Sequence, residues 1–115
     1  MESNELNTVL EALANEHRRA IVYTLGLQPR SISQLASQQN LSLPAIHKHI
    51  AVLENAHLIR RRKSGRTNFL ALDKAALGSL QRWLMQFHTG WGGGAETLEN
   101  YVAQIENFER EKEQG

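Results

Sequence analysis

Five of the nine residues from Leu58 to Arg66 are basic: Arg60, Arg61, Arg62, Lys63 and Arg66. Apolar-ended runs flank a Ser64-Gly65 pair, with Leu58-Ile59 before it and Phe69-Leu70-Ala71-Leu72 after it. Two such runs about a Ser-Gly turn predict a β-hairpin. A hairpin with this much positive charge at its tip cannot be a core element. It needs a negatively charged surface to lie against, and the phosphate backbone of DNA is the commonest one.

Other reactive chemistry is sparse. Cysteine is absent, which rules out disulfides and thiolate metal sites and fits a reducing cytoplasm, the compartment expected for the chain. The five histidines are His17, His47, His49, His57 and His88. His47 and His49 lie two apart on one helix, so they diverge and cannot share a metal. His49 reads as a core or hydrogen-bonded histidine, and no metal site is expected. Gly92-Gly93-Gly94 lacks a preceding strand and a following Gly-Lys-Ser/Thr, so it reads as a hinge or kink and not as a phosphate loop. No Ser, His or acid stands in a nucleophile motif. No catalytic residue and no cofactor is expected.

Charge is segregated along the chain. Residues 1–16 carry −4, residues 17–82 carry +9 and residues 83–115 carry −4, leaving a net +1. A basic middle between acidic ends puts the phosphate-binding surface in the central segment. The 115 residues make one small domain, with 41% hydrophobic residues and a thin core that dimerisation would complete. No run is long and apolar enough to span a membrane. The N-terminus, with Glu2 and Glu5, lacks the pattern of a secretory signal.

The elements that position the basic hairpin follow from periodicity. Leu6, Val9, Leu10 and Leu13 predict an amphipathic helix over about residues 5–14, capped by Asn4. Asn15 caps a second helix from Glu16 to Leu25, which Gly26 ends in the left-handed conformation. Its Ala20, Ile21 and Leu25 face the core, while Arg18 and Arg19 open toward solvent or a phosphate. Ser33 precedes a short helix, and Asn40 suits the tight turn after it. Ser42 caps the next helix, with Pro44 in its first turn and Ile46, Ile50 and Leu53 as its buried stripe. His57 sits where a helix C-terminus often has Gly, an uncomfortable left-handed position. After the hairpin, Asp73 caps a helical region with a Leu77, Leu80, Leu84 and Phe87 stripe. Gly90-Trp91-Gly92-Gly93-Gly94 interrupts it, and helical spacing resumes with Leu98, Val102, Ile105 and Phe108. Residues 109–115 read as a frayed, flexible tail. The fold class is mainly α with a small β-hairpin wing, a winged helix-turn-helix over residues 15–72, with terminal helices at 1–14 and 73–108.

The runs Ala14-Asn15-Glu16-His17-Arg18-Arg19-Ala20-Ile21-Val22, Ser33-Gln34-Leu35-Ala36, Leu43 through Ile59, and Ser64-Gly65-Arg66 stand in the order of a known family. The chain resembles the ArsR family of bacterial winged-helix repressors over about residues 6–103. It has Ala56-His57-Leu58 where the family has Ala-Gly-Leu. The resemblance implies a homodimer built from the first and last helices, one wing per subunit, and repression of a promoter. The family includes metal sensors. Here no Cys lies near Ser31-Ile32-Ser33, and His88 has no acid within one helical turn.

The geometry implied is a dimer on a palindromic operator in double-stranded DNA. Leu43 and Ala45 would make apolar contacts to base edges, and His47 and Lys48 hydrogen bonds. Gln38, Gln39 and Asn40 would lie near the backbone. Arg62, Lys63 and Arg66 would bind phosphate or enter the minor groove. Leu6, Val9, Leu10, Leu84, Phe87, Trp91, Leu98, Val102 and Ile105 would form the dimer interface. Two alternatives stay open. One is a small-molecule-responsive repressor with an effector pocket near Trp83 and Trp91. The other is a winged-helix module that binds an acidic protein.

Overall fold

Polar side chains cap several helices of this computed structural model, which describes the backbone of residues 2–90 and 95–114 and the side chains of residues 4–87 and 99–113. α1 spans Glu2–Leu13 and α2 spans Glu16–Leu27. Asn15 caps α2 through its side-chain oxygen, which accepts from the Arg18 amide at 3.1 Å. A two-residue strand β1 (Arg30–Ser31) leads into α3 (Ile32–Gln39). Ser31 caps α3, so the helix already includes Ser33, which was expected to precede it. The reason is Gln34, whose side chain accepts from the Ser31 amide while the Ser31 hydroxyl accepts from the Gln34 amide. Ser42 caps α4 (Leu43–Asn55), with Pro44 in its first turn.

Two other boundaries differ from the sequence reading. Asn4 does not cap α1 but lies inside it, its carbonyl accepting from the Thr8 hydroxyl. Gly26 does not end α2, which continues to Leu27 and stops at Gln28 in extended backbone. A side chain at position 26 would meet Leu72 at 3.6 Å, so Gly26 sits against the sheet.

β2 (Ile59–Ser64) and β3 (Thr67–Leu72) form the wing, paired antiparallel from Ile59↔Leu72 to Ser64↔Thr67. Ser64 is therefore still paired, and the turn itself is Gly65-Arg66, with Gly65 at φ 63. β1 adds to the far side of β3, giving the order β1-β3-β2. A two-residue strand carries no alternation, so the sequence did not announce it.

The core fills the space between α2, α3, α4 and the sheet. Ile21, Leu35, Ile46, Ile50, Leu53, Leu58 and Leu70 are fully buried, joined by Val9 and Ala12 of α1. His57 at φ 60 is left-handed, as the sequence implied, and so is Asn40 at φ 55, in the turn expected there. At the His57 joint the amide of Leu58 donates to the Leu53 carbonyl, which drops Leu58 into the core. Asp73 caps a 3-10 turn (Lys74–Leu77), and α5 (Gly78–Gly90) follows.

The chain forms two compact units, Met1–Leu80 and Gln81–Gly115. The expected α5 stripe splits at that boundary. Leu77 and Leu80 pack against the first unit's core, whereas Leu84 and Phe87 are exposed. In the second unit α6 (Ala95–Gln114) displays Tyr101, Val102, Ile105 and Phe108. The expected frayed tail is helical to Gln114, in keeping with its Glu, Lys, Arg and Gln content. Trp91, Gly92, Gly93, Gly94 and the side chains of His88 and Leu98 lie outside the described residues.

Candidate nucleic-acid interface

The wing's cations divide into two groups. Arg61 is tied to α4: its Nε and one terminal nitrogen donate to the two carboxylate oxygens of Glu54 at 3.1 and 3.0 Å. That bond favours the charged form and raises the Arg61 pKa further. Arg60 faces Asp73 at 3.6 Å. Arg62, Lys63 and Arg66 are exposed, and no carboxylate pairs with them among the described residues. Those three are the residues that the sequence assigned to phosphate. The hairpin projects them because β2 leaves the core after Ile59 and β3 returns to it only at Leu70.

α4 presents its first two turns outward. Leu43 is half exposed, His47 and Lys48 are exposed and Ala45 is half-buried, while Ile46, Ile50 and Leu53 turn inward. Gln38, on the last turn of α3, is exposed. Gln39 is less open than Gln38. It is half-buried, and its side-chain oxygen accepts from His17 Nδ1 at 3.0 Å. The last turn of α3 packs on α2, so Gln39 ties two helices together.

The arrangement is a helix with a polar N-terminal face beside a hairpin with three cations unmatched by carboxylates. It suits a major groove and a flanking backbone. A family profile described as a helix-turn-helix domain matches residues 13–62, from the end of α1 into β2. The HTH-type transcriptional regulator Rv2034 of Mycobacterium tuberculosis is 37% identical over 79 residues, 69% of this chain and 74% of that protein. The transcriptional activator HlyU of Vibrio cholerae is 33% identical over 82 residues, 70% of this chain and 76% of that protein. A crystal structure of an ArsR family transcriptional regulator aligns with a TM-score of 0.69 at 32% identity, over 81% of this chain and 96% of that one. The chain belongs to the ArsR family of transcriptional regulators. It is a winged helix-turn-helix regulator and not an enzyme.

Within this ArsR fold, a polar cluster that the sequence reading misplaced sets the seat of α4. Arg18 does not open to solvent. Its Nε donates to the Ala12 carbonyl at 2.6 Å, and its terminal nitrogens reach the Glu11 carbonyl and His49 Nδ1, at 3.3 and 3.2 Å. Arg19 donates to the Leu13 carbonyl at 2.9 Å. Both guanidiniums meet carbonyls of the last turn of α1, at a helix C-terminus where positive charge is favoured. His49 lies between α4 and α2, hydrogen-bonded as expected, its ring 5.5 Å from that of His17. Burial, then the charge of Arg18, then His17, lowers the His49 pKa. The signal in the sequence was the pair Arg18-Arg19 just after a helix end, which reads as a C-terminal clamp as readily as a phosphate grip.

Val9 must be removed from the expected dimer face. It is 2% exposed and belongs to its own subunit's core. Leu10, one residue on, is exposed, and Leu6 is half-buried. Among the described residues, no group of His, Asp and Glu gathers to hold a metal ion, and no helix is long and apolar enough to cross a membrane.

Proposed function

We propose that this ArsR-family regulator is a homodimeric repressor that reads a palindromic operator. The observation that carries it is the three unmatched wing cations beside the exposed first turns of α4. In a two-fold dimer, two α4 helices enter successive major grooves roughly 34 Å apart. Leu43 and Ala45 meet base edges by apolar contact, and His47 and Lys48 by hydrogen bonds. Arg62, Lys63 and Arg66 hold the backbone or the minor groove, with Gln38 on the approach. Leu6, Leu10, Leu84, Phe87, Val102 and Ile105 supply apolar surface for the partner subunit. Occupying a promoter is enough to block polymerase, and such a protein works where the DNA is, in the cytoplasm.

Selection of bound fragments from a random DNA pool tests this reading. The expected product is a palindromic consensus with half-sites one helical turn apart. Loss of preference for that consensus in His47→Ala and Lys48→Ala, by about 1–3 kcal/mol for a bidentate contact and less for a single bond, places base readout on α4. A pool that yields no consensus overturns the operator. The relative from Vibrio cholerae bears an activator's name, so transcription from a promoter carrying the consensus reads the sign of regulation directly.

A further inference from the structure

Arg30, in the basic middle of the chain, belongs neither to the wing nor to the α1 clamp. Residues 17–53 contain no Asp or Glu, so Arg30 has no carboxylate anywhere near it in the sequence. It is half-buried on β1, and its Nε is shielded from solvent and finds no acceptor among the described residues. A buried donor on a charged group is costly to leave without one. Cross-strand register explains how it came to be there. Arg30 lies opposite Leu70, and Leu70 lies opposite Arg61, so the three occupy one row across the sheet. Leu70 at the centre is fully buried. Arg61, on one side of that row, reaches α4 and finds Glu54. Arg30, on the other side, reaches α3 and finds only hydroxyls and amides.

Those groups line a shallow recess of about 460 Å³: Arg30, Ser33, Gln34, Ser37 and Gln38. Ser33 and Ser37 are one helical turn apart, as are Gln34 and Gln38, so all four share the outer face of α3. Gln34 uses its oxygen on the Ser31 amide, which leaves its NH2 to donate. A guanidinium, two hydroxyls and two amides with no carboxylate among them is a donor set for an oxyanion.

We infer that the Arg30 recess on α3 binds a DNA backbone phosphate, a contact separate from the wing and from α4. This rests on the DNA-binding reading above. The α3 helix runs into the turn that launches α4, so a phosphate held there would fix how deeply α4 sits in its groove. The contact is with the backbone, so it adds affinity without sequence preference.

The test is the salt dependence of binding to the selected consensus, for the full chain and three variants. Arg30→Gln should weaken binding to consensus and random DNA alike. It should also flatten the log–log salt slope by about one unit per recess lost. Arg30→Lys should keep most of that slope, since the charge remains. Ser37→Glu puts a carboxylate into the recess from an exposed helix position and should cut affinity at least tenfold at low salt. It guards against a folding defect in the Arg30 variants, which thermal melting would show. Arg62→Ala/Lys63→Ala/Arg66→Ala is the control. If that triple variant flattens the slope while Arg30→Gln and Ser37→Glu leave slope and affinity unchanged, the recess is not a phosphate site and the wider reading stands. If the unaltered protein itself shows no salt-dependent DNA binding, the wider reading falls first.

Discussion

His49 shows how one side chain joins fold to function. It sits on the helix that presents His47 and Lys48, and its Nδ1 accepts a hydrogen bond from Arg18. Protonation would set a second positive charge against Arg18, beside the ring of His17. Burial and these neighbours hold its pKa below the usual imidazole value of 6.5. The unfolded chain therefore takes up this proton at higher pH than the folded one. In the window below about 6.5, the unfolded state binds more protons, so stability falls as pH falls and levels off below the folded pKa. Urea melts between pH 7.5 and 5 should show this loss. The His49→Gln curve should be flatter over the same range, and curves of equal slope would refute the role of His49. His57 gives the opposite kind of test. It holds a left-handed φ of 60, a conformation that glycine adopts without a Cβ clash. His57→Gly should relieve that clash and, after glycine's greater chain entropy, stabilise the fold by about 0.5–1 kcal/mol. A destabilised variant would mean that the His57 side chain does more for the joint than its strain costs. Single residues were unevenly legible in the sequence. The turn at Asn40 and the caps Asn15, Ser42 and Asp73 need only local chemistry, and they were readable. The inward turns of Arg18 and Gln39 depend on helices that meet in space, and no periodicity reports that.

Helices and strands were legible where a pattern repeats. The buried stripe Ile46, Ile50 and Leu53 and the basic hairpin came directly from spacing. β1 did not, because two residues carry no pattern, and its presence decides where Arg30 points. The α5 stripe was legible as periodicity but not as burial, since Leu77 and Leu80 face a core and Leu84 and Phe87 do not. The wing offers the sharpest test at this scale. Arg60 and Arg61 are matched by Asp73 and Glu54, whereas Arg62, Lys63 and Arg66 are not. Replacing the last three with Ala should weaken binding to every sequence and flatten the salt slope by about one unit per lost contact, up to three. Stability should hardly change, because exposed residues without such partners contribute little to it. An unaltered slope, measured by anisotropy titration across a salt series, would take the wing out of the interface.

At the scale of the molecule, the first unit is a core with its polar groups largely matched, and the second is a pair of helices with much apolar surface in water. Trp83, Leu84, Met85 and Phe87 on α5 and Tyr101, Val102, Ile105 and Phe108 on α6 are all exposed. Trp83 and Phe87 meet edge to face at 4.9 Å and still stand 41% and 46% exposed. Surface of this kind marks an interaction site or an aggregation liability. A second copy of the chain would bury it, in line with the thin core and the two-fold operator proposed above. The linkage then has a measurable form. If α6 supplies part of the interface, ending the chain after Gly90 removes Val102 and Ile105 while sparing the unit from Met1 to Leu80, whose core lies within those residues. The truncated protein should keep the melting behaviour of that unit but sediment as a monomer at micromolar concentration, where the full chain sediments as a dimer. Its affinity for the full palindrome should fall toward that for a single half-site, because half the contacts per complex go with the partner. Removing the recess or the wing would act differently, weakening both half-sites within an intact dimer. A full-length chain that sediments as a stable monomer and still binds the palindrome tightly would refute both the dimer and the two-groove mechanism.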